Sequence, residues 1–474
     1  MKIEKERSGV NMPTSKEAPS SFRTQAPAPA APRPFHFPQI TRLILPNGLK
    51  LLIAEKGNAP LVSVQLTVKS GADSDPAGKP GLASLTADML DEGAGGRSVI
   101  EIAEQLGTLG ASLASGADWD ASYVALDVLS RNLEQALAIF ADVVLRPSFR
   151  SEDLERVRRE RVTTILQQKD EPSIIAAERF SQFVFAETPY GNPLIGTEES
   201  IAGMTRDDVQ SFYRAHFHPE NSVLIITGDV KIDDARQLAE KCLGRWEVAK
   251  GVVRRPMKPR PIEQSRIFIV DRPHAVQSEI RIGHVGVDRA TEDYFSLIVM
   301  NSILGGIFTS RLNLNLRERH GYTYHVRSNF GFRRHAGPFV VGTAVRNEVT
   351  KESVEEIISE MRHMRDGEVQ QNELDEARNY LMGVFPATVQ TASDLAGRLQ
   401  EMELYGLPED YFDNYRQKIG AVDAAAVTEV ARKYLNPDKV AIVIVGKVDD
   451  IRPSLVPLGA PIEVFDIDGR VMAS

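Results

Sequence analysis

Two stretches nearly half the chain apart follow one pattern, and that long-range repeat restricts the fold more than any local feature. Residues 213–230 read YRAHFHPENSVLIITGDV and residues 431–448 read ARKYLNPDKVAIVIVGKV. Each sets a basic helix end before a proline (Pro219, Pro437) and then an apolar strand closed by glycine (Gly228, Gly446). Self-similarity at that spacing reads as a duplicated domain. Between the copies, residues 249–264 (AKGVVRRPMKPRPIEQ) are basic, Pro-rich and aperiodic, as an interdomain linker is. The predicted organisation is a disordered Pro/Ala-rich lead-in at 1–38, a first domain at 39–248, the linker at 249–264 and a second domain at 265–474. A chain of 474 residues is too long for one ordinary core, which agrees.

Local patterns give the fold class. Asn47-Gly48 between alternating apolar runs is a strong hairpin signal. Val62, Val64, Leu66 and Val68 alternate with polar residues, as on a strand with one wet face. Helical spacing at Leu82, Leu85 and Met89 gives a short helix, and a long charged one covers about Ser151 to Gln168. Strands mixed irregularly with helices predict an α+β fold: two homologous domains, each a mainly antiparallel sheet packed with helices. A net charge of −9 without a dense basic run argues against nucleic acid. No apolar run approaches the ~20 residues of a membrane span. The N-terminus shows no apolar core of a secretory signal, so the expected compartment is the cytoplasm, or the envelope if translation starts further upstream.

The stretch Lys79 to Arg97, KPGLASLTADMLDEGAGGR, carries the functional information. Ser84 and Asp88 sit four residues apart on its helix, about 40° from each other, where two imidazoles could grip one metal. G-L-A-x-L-x-x-x-M-L-x-E-G resembles the signature helix of the insulinase/pitrilysin-type zinc peptidases, which reads H-x-x-E-H. Laid on that motif, Ser84 and Asp88 take the two His positions and Ala87 takes that of the general base. The family's third ligand, a Glu in a later helix, falls on Thr164 within DLERVRRERVTTILQQKDEP. Ser, Asp and Thr supply at most one good zinc ligand. Without the metal no bound water is acidified, and without the Glu no base activates it.

The second half keeps what the first lacks. LGG-x-F-x-S-R-L at Leu304–Leu312 and L-R-E-R-H-G-Y-T-Y at Leu316–Tyr324 are also similar to the family. There, an Arg and a Tyr at this spacing hold the substrate carbonyl and the oxyanion, which assigns Arg317 and Tyr324 that role here. The resemblance further implies an edge strand near Gly110–Gly116 that pairs with extended substrate. Ala114-Ser115 replaces the usual Asn-Ala in it.

The implied function is a non-catalytic subunit. It holds no cofactor itself and lends Arg317 and Tyr324 to a homologous partner subunit that brings zinc and cleaves a peptide. The alternative is a scaffold or peptide-binding protein of the same fold with no part in proteolysis; an autonomous hydrolase using other groups is a third reading. The remaining candidates read as structural: Asp88, Asp91 and Glu92 as a solvated helix end, His216 and His218 as packing. The Gly93–Gly96 run is a turn and Cys242 an inert buried thiol, while His320 and His325 could at most line the substrate path.

Overall fold

The structure, a computed structural model, describes residues 34–248 and 257–472. Residues 1–33 of the predicted lead-in and 249–256 of the predicted linker lie outside the described residues. From His36 onward the chain forms one compact unit.

The hairpin β1 (Thr41–Ile44) and β2 (Lys50–Glu55) turns at Asn47-Gly48, where Gly48 has φ +85°, a value glycine adopts without strain. Next come β3 (Leu61–Val68), α1 (Leu82–Asp88), the ribbon β4 (Gly93–Ala94) and β5 (Arg97–Ser98), and α2 (Val99–Thr108). β6 (Ser112–Ala117), β7 (Ser122–Leu129), α3 (Leu133–Leu145), α4 (Ser151–Gln168) and α5 (Pro172–Val184) follow. α6 (Glu198–Gly203), α7 (Arg206–His216), β8 (Ser222–Gly228) and α8 (Ile232–Leu243) end the first half. The second half opens with β9 (Arg266–Asp271), β10 (Gln277–Val285), α9 (Tyr294–Asn301), β11 (Val326–Phe330) and β12 (Pro338–Arg346). Five helices come next: α10 (Thr350–Asp366), α11 (Gln371–Val384), α12 (Ala392–Tyr405), α13 (Tyr415–Ala421) and α14 (Ala424–Tyr434). β13 (Ala441–Gly446), α15 (Val448–Leu455) and β14 (Ile462–Phe465) complete it.

The strands make two six-stranded sheets, ordered β1-β2-β8-β3-β7-β6 and β11-β12-β10-β13-β9-β14. In the first, β3 lies antiparallel between β7 and β8, and β8 runs parallel to β2. In the second, β10 lies antiparallel between β12 and β13, and β13 runs parallel to β9. The same path is drawn twice, and the repeated sequence falls on β8 and β13. The fold is α+β, mainly antiparallel and internally duplicated, as predicted. Among the described residues no helix is long and apolar enough to cross a membrane.

One face of the first sheet packs on the first half's own helices, with Val64 and Leu66 buried among Leu82, Leu85, Leu137 and Phe140. The opposite face is closed by the other half: α12 packs on β3 and β8. The second sheet answers in kind, since α5 of the first half packs on β10 and β13. Phe180 and Val184 of α5 join Phe268 and Val443 in one apolar cluster, and Ile175 joins Val270 and Val445 in another. The contact of α12 is more polar. Thr227 Oγ1 donates to the Ala392 carbonyl (2.7 Å), and Lys50 and Lys69 reach Glu403 (3.2 and 3.5 Å).

A second tie comes from the tip of the β11–β12 hairpin. The Arg334 N–H donates to Asp120 (2.7 Å), and its guanidinium donates to Asp73 (2.5 Å) and to the Asp120 carbonyl (2.6 Å). The Tyr190 and Tyr405 hydroxyls donate to the same Asp120 carboxylate. Arg333 lies over the rings of Trp119 (3.7 Å) and Tyr190 (4.6 Å). Nearby, Asp75 fixes the start of α1, its carboxylate accepting from the N–H groups of Gly81 and Ala83 (both 2.7 Å).

Two outcomes follow from this packing. Leu399 of α12 is fully buried, and truncating it leaves a cavity. Leu399→Ala should cost about 2–5 kcal/mol. Both tryptophans, Trp119 and Trp246, belong to the first half, yet their fluorescence should report the same lowered urea midpoint as circular dichroism does. Separate transitions would show that the halves fold independently. The other outcome concerns pH. Burial pushes the Asp75 carboxyl from 3.8 up to about 7, against the pull of the Ala83 and Gly81 N–H groups. The folded chain thus holds this proton more tightly than the unfolded one. The resulting stabilisation is full below about pH 4 and is lost as pH rises through about 7. Urea midpoints should fall over that window in the native chain and fall less in Asp75→Asn.

Candidate functional site

The signature positions lie where α1 meets α4. α4 buries Asp153, Leu154, Val157, Arg161 and Ile165; Asp153 pairs with Arg150 at the helix start, but Arg161 occupies a position whose helical spacing from Leu154, Val157 and Ile165 calls for an apolar residue. Arg161 is only 7% exposed. Its guanidinium donates to Ser84 Oγ (3.0 Å), to the Ile195 carbonyl (3.4 Å) and to the Asp88 carboxylate. Burial pushes the Asp88 carboxyl up, and the charge of Arg161 opposes that shift. Ala87 is fully buried. Thr164 lies one turn beyond Arg161, exposed, with its hydroxyl donating to the Glu160 carbonyl of its own helix (3.1 Å).

Of the four signature positions, then, the structure joins Ser84 and Asp88, and it does so through Arg161. Sequence reading missed that residue within a long charged helix; the available signal was an arginine at helical spacing from Leu154, Val157 and Ile165. The residues present do not fit zinc. They offer a hydroxyl and a carboxylate already committed to a guanidinium, and a bound cation there would face that positive charge. Among the described residues no group of three His, Cys, Asp or Glu side chains could hold a metal ion.

The predicted edge strand is β6, the last strand of the first sheet, paired among the described residues with β7 alone. Ala114 is exposed on it, and Ser115 Oγ donates to Asp91 (3.3 Å). The acidic cluster is therefore tied down residue by residue: Asp88 to Arg161, Asp91 to Ser115, Glu92 to Arg156. Burial pushes the carboxyls of Asp91 and Glu92 up. Gly95 and Gly96, both at positive φ, turn the β4–β5 ribbon. His216 bonds Ser70 (3.0 Å), while His218 is buried, which pushes its imidazole below the ordinary range. Cys242 is half-buried, and burial pushes its thiol up.

Arg317 lies on a wide helical turn, Asn313–Arg319. Asn313 Nδ2 donates from that turn to the Val326 carbonyl (2.9 Å), fixing it against the start of β11. Gly321 (φ +63°) breaks the turn, and β11 begins two residues after Tyr324. Tyr324 is 92% exposed. Arg317 lies over the exposed Phe308 ring (4.4 Å) and pairs with Glu318 (3.4 Å). No hydrogen bond or ion pair among the described residues joins Arg317 or Tyr324 to Ser84, Asp88 or Arg161. His320 stacks on Tyr322 at 4.9 Å between ring centres.

Comparison with known proteins agrees with this geometry. The model of the insulinase family (Peptidase family M16) matches residues 50–198, and that of the Peptidase M16 inactive domain matches residues 203–381. The chain is 23% identical over 402 residues to an uncharacterized zinc protease, YmxG, of Bacillus subtilis, covering 84% of this chain and 96% of that one. It is 24% identical over 392 residues to the non-peptidase homolog YmxG of Helicobacter pylori, covering 81% and 89%. A crystal structure of a peptidase M16 inactive domain from Pseudomonas fluorescens superposes with a TM-score of 0.80 at 28% identity, covering 86% of this chain and 98% of that one. Two matched family domains, laid over a fold drawn twice, show that the chain belongs to the insulinase family of peptidases, M16.

Proposed function

We propose that this protein is the non-catalytic subunit of a heteromeric M16 peptidase and lends Arg317 and Tyr324 to a homologous subunit that carries zinc. By itself the chain is a catalytically inactive M16-like protein, since the signature positions hold Ser84, Ala87 and Asp88. The observation that carries the proposal is the contrast between the two halves. Ser84 and Asp88 are tied to the buried Arg161, whereas Tyr324 stands almost wholly in solvent and Arg317, seven residues before it, is partly accessible. An exposed tyrosine that supports no core contact is placed for something outside the chain. In the assembly, its hydroxyl and the Arg317 guanidinium would donate hydrogen bonds to the substrate carbonyl as negative charge builds on its oxygen. The partner would supply the metal and the attacking water. The open edge of β6 supports a peptide substrate, because an extended chain can pair with its free backbone groups.

The test is reconstitution with a homologous subunit that keeps an intact H-x-x-E-H motif. Peptide cleavage should appear only on mixing. Arg317→Ala or Tyr324→Phe should lower kcat by about 10²–10³, the usual loss for one oxyanion donor, while the complex still elutes intact. A complex that forms but is indifferent to both substitutions would favour the scaffold reading. The Arg161 cluster makes a separate claim. A chelator should leave the urea midpoint of the pure chain unchanged, whereas Arg161→Ala should lower its stability by about 1.5–3 kcal/mol, the worth of hydrogen bonds to a charged group.

A further inference from the structure

Beside Tyr324 the second sheet leaves part of one face open. Along β11 the residues alternate, with Arg327 and Asn329 outward and Val326, Ser328 and Phe330 buried. Strand register places Arg327 opposite Gly342 on β12, and Gly342 opposite Arg281 on β10. One row across three strands therefore reads Arg, Gly, Arg. The rows on either side put Val340 and Ala344 on the middle strand, so β12 forms a low floor between two taller walls. A Cβ on Gly342 would lie 3.2 Å from the Arg281 guanidinium, so that side chain lies along the floor. The cavity measures about 440 Å³ and is also lined by Glu279, Tyr324 and His325.

Its charges do not cancel. Glu279 and Arg281 pair at 2.5 Å, and Arg281 also donates to the Ser173 carbonyl at the start of α5 (3.3 Å). Arg327 is exposed and makes no ion pair among the described residues, so the cavity holds one uncompensated positive charge. A guanidinium presents a planar fork that matches a carboxylate with two parallel hydrogen bonds.

We propose that this cavity is a specificity pocket for the acidic side chain, Asp or Glu, of a peptide lying past Tyr324, and that Arg327 recognises its carboxylate. The proposal rests on the reading that Tyr324 meets a peptide substrate, and it adds the class of residue that peptide carries. Arg327 would act on binding and choice of substrate, whereas Arg317 and Tyr324 would act on the reaction.

The test measures binding to the full chain alone, so it does not depend on a partner or on catalysis. The probes are rhodamine-labelled extended peptides with amidated C-termini, identical except for one central Glu, Gln or Lys. By fluorescence anisotropy the Glu peptide should bind about ten- to a hundredfold more tightly than the Gln peptide, the range expected when a charge-assisted hydrogen-bonded pair forms. Arg327→Gln should erase that difference and Arg327→Glu should shift the preference to Lys, with the urea midpoint unchanged in both. Arg317→Ala should leave the Glu preference in place. Equal binding of the three peptides, or a Glu preference that survives Arg327→Gln, would overturn the pocket. A fourth probe, the Gln peptide with its C-terminus left free, is the control: tight binding confined to it would also overturn the pocket and assign the cavity to chain ends. If the preference holds while the reconstituted complex ignores Arg317→Ala, the donor reading fails and the pocket stands.

Discussion

Each sheet is finished by a helix from the opposite half. Without α12 the face of β3 and β8 opposite the first core would lie open, and without α5 the apolar face of β10 and β13 would be in water. Burying a side chain such as Phe180, Val184 or Ile175 is worth roughly 1.5–3 kcal/mol. Several of them in one interface outweigh what a linker alone could hold together. That exchange explains why a chain with a visible internal repeat forms one compact unit from His36 onward. Duplication supplied two copies of one path, and trading equivalent helices made the copies interdependent.

Within that frame, Arg161 does for α1 and α4 part of what a metal ion does in a zinc peptidase. A positive centre between the helices draws in Asp88 and Ser84 and holds the helices in register. The likeness stops at charge. A guanidinium has no vacant orbital to polarise a carbonyl and no exchangeable water to acidify, and its donors point along fixed directions toward acceptors already in place. Ser84, Asp88 and Arg161 therefore offer charge and hydrogen bonds but no Lewis acid. A metal ion placed beside Ser84 and Asp88 would meet the buried positive charge of Arg161.

What could be read from sequence divides along one physical line. The hairpin at Asn47-Gly48, the strand at β3 and the repeat on β8 and β13 are statements about neighbours along the chain, and they appear as expected; the wet face expected of β3 does not, since Ser63 and Thr67 are buried beneath α12. Their signals are periodicity and turn chemistry, which a strand or helix carries within itself. The exchange of α5 and α12 carries no such signal, because an apolar stripe shows that a helix is covered but not by which sheet. Asp75 was hidden for a similar reason. It sits in a Gly/Pro/Asp loop that reads as a connection, and its bonds to Gly81 and Ala83 cross a gap that follows no period. Arg161 fell between the two cases: its stripe was legible, but the aligned family position lay at Thr164, one turn further on.

The hairpin tip at Arg333 and Arg334 relates the edge strand β6 to the Arg327 cavity. β11 begins just after Tyr324, forms a wall of the cavity at Arg327, and ends in the loop whose Arg334 binds Asp120 and Asp73. Asp120 lies in the turn between β6 and β7, so the same carboxylate anchors the far end of the open edge strand. Two residues before Asp75, Asp73 ties that anchor to the loop that starts α1. A displacement of β11 therefore cannot leave β6 untouched while Arg334 remains bound, since three donors on one buried carboxylate make a joint with little freedom. A peptide paired along β6 and one reaching the Arg327 cavity would meet surfaces fastened to the same point.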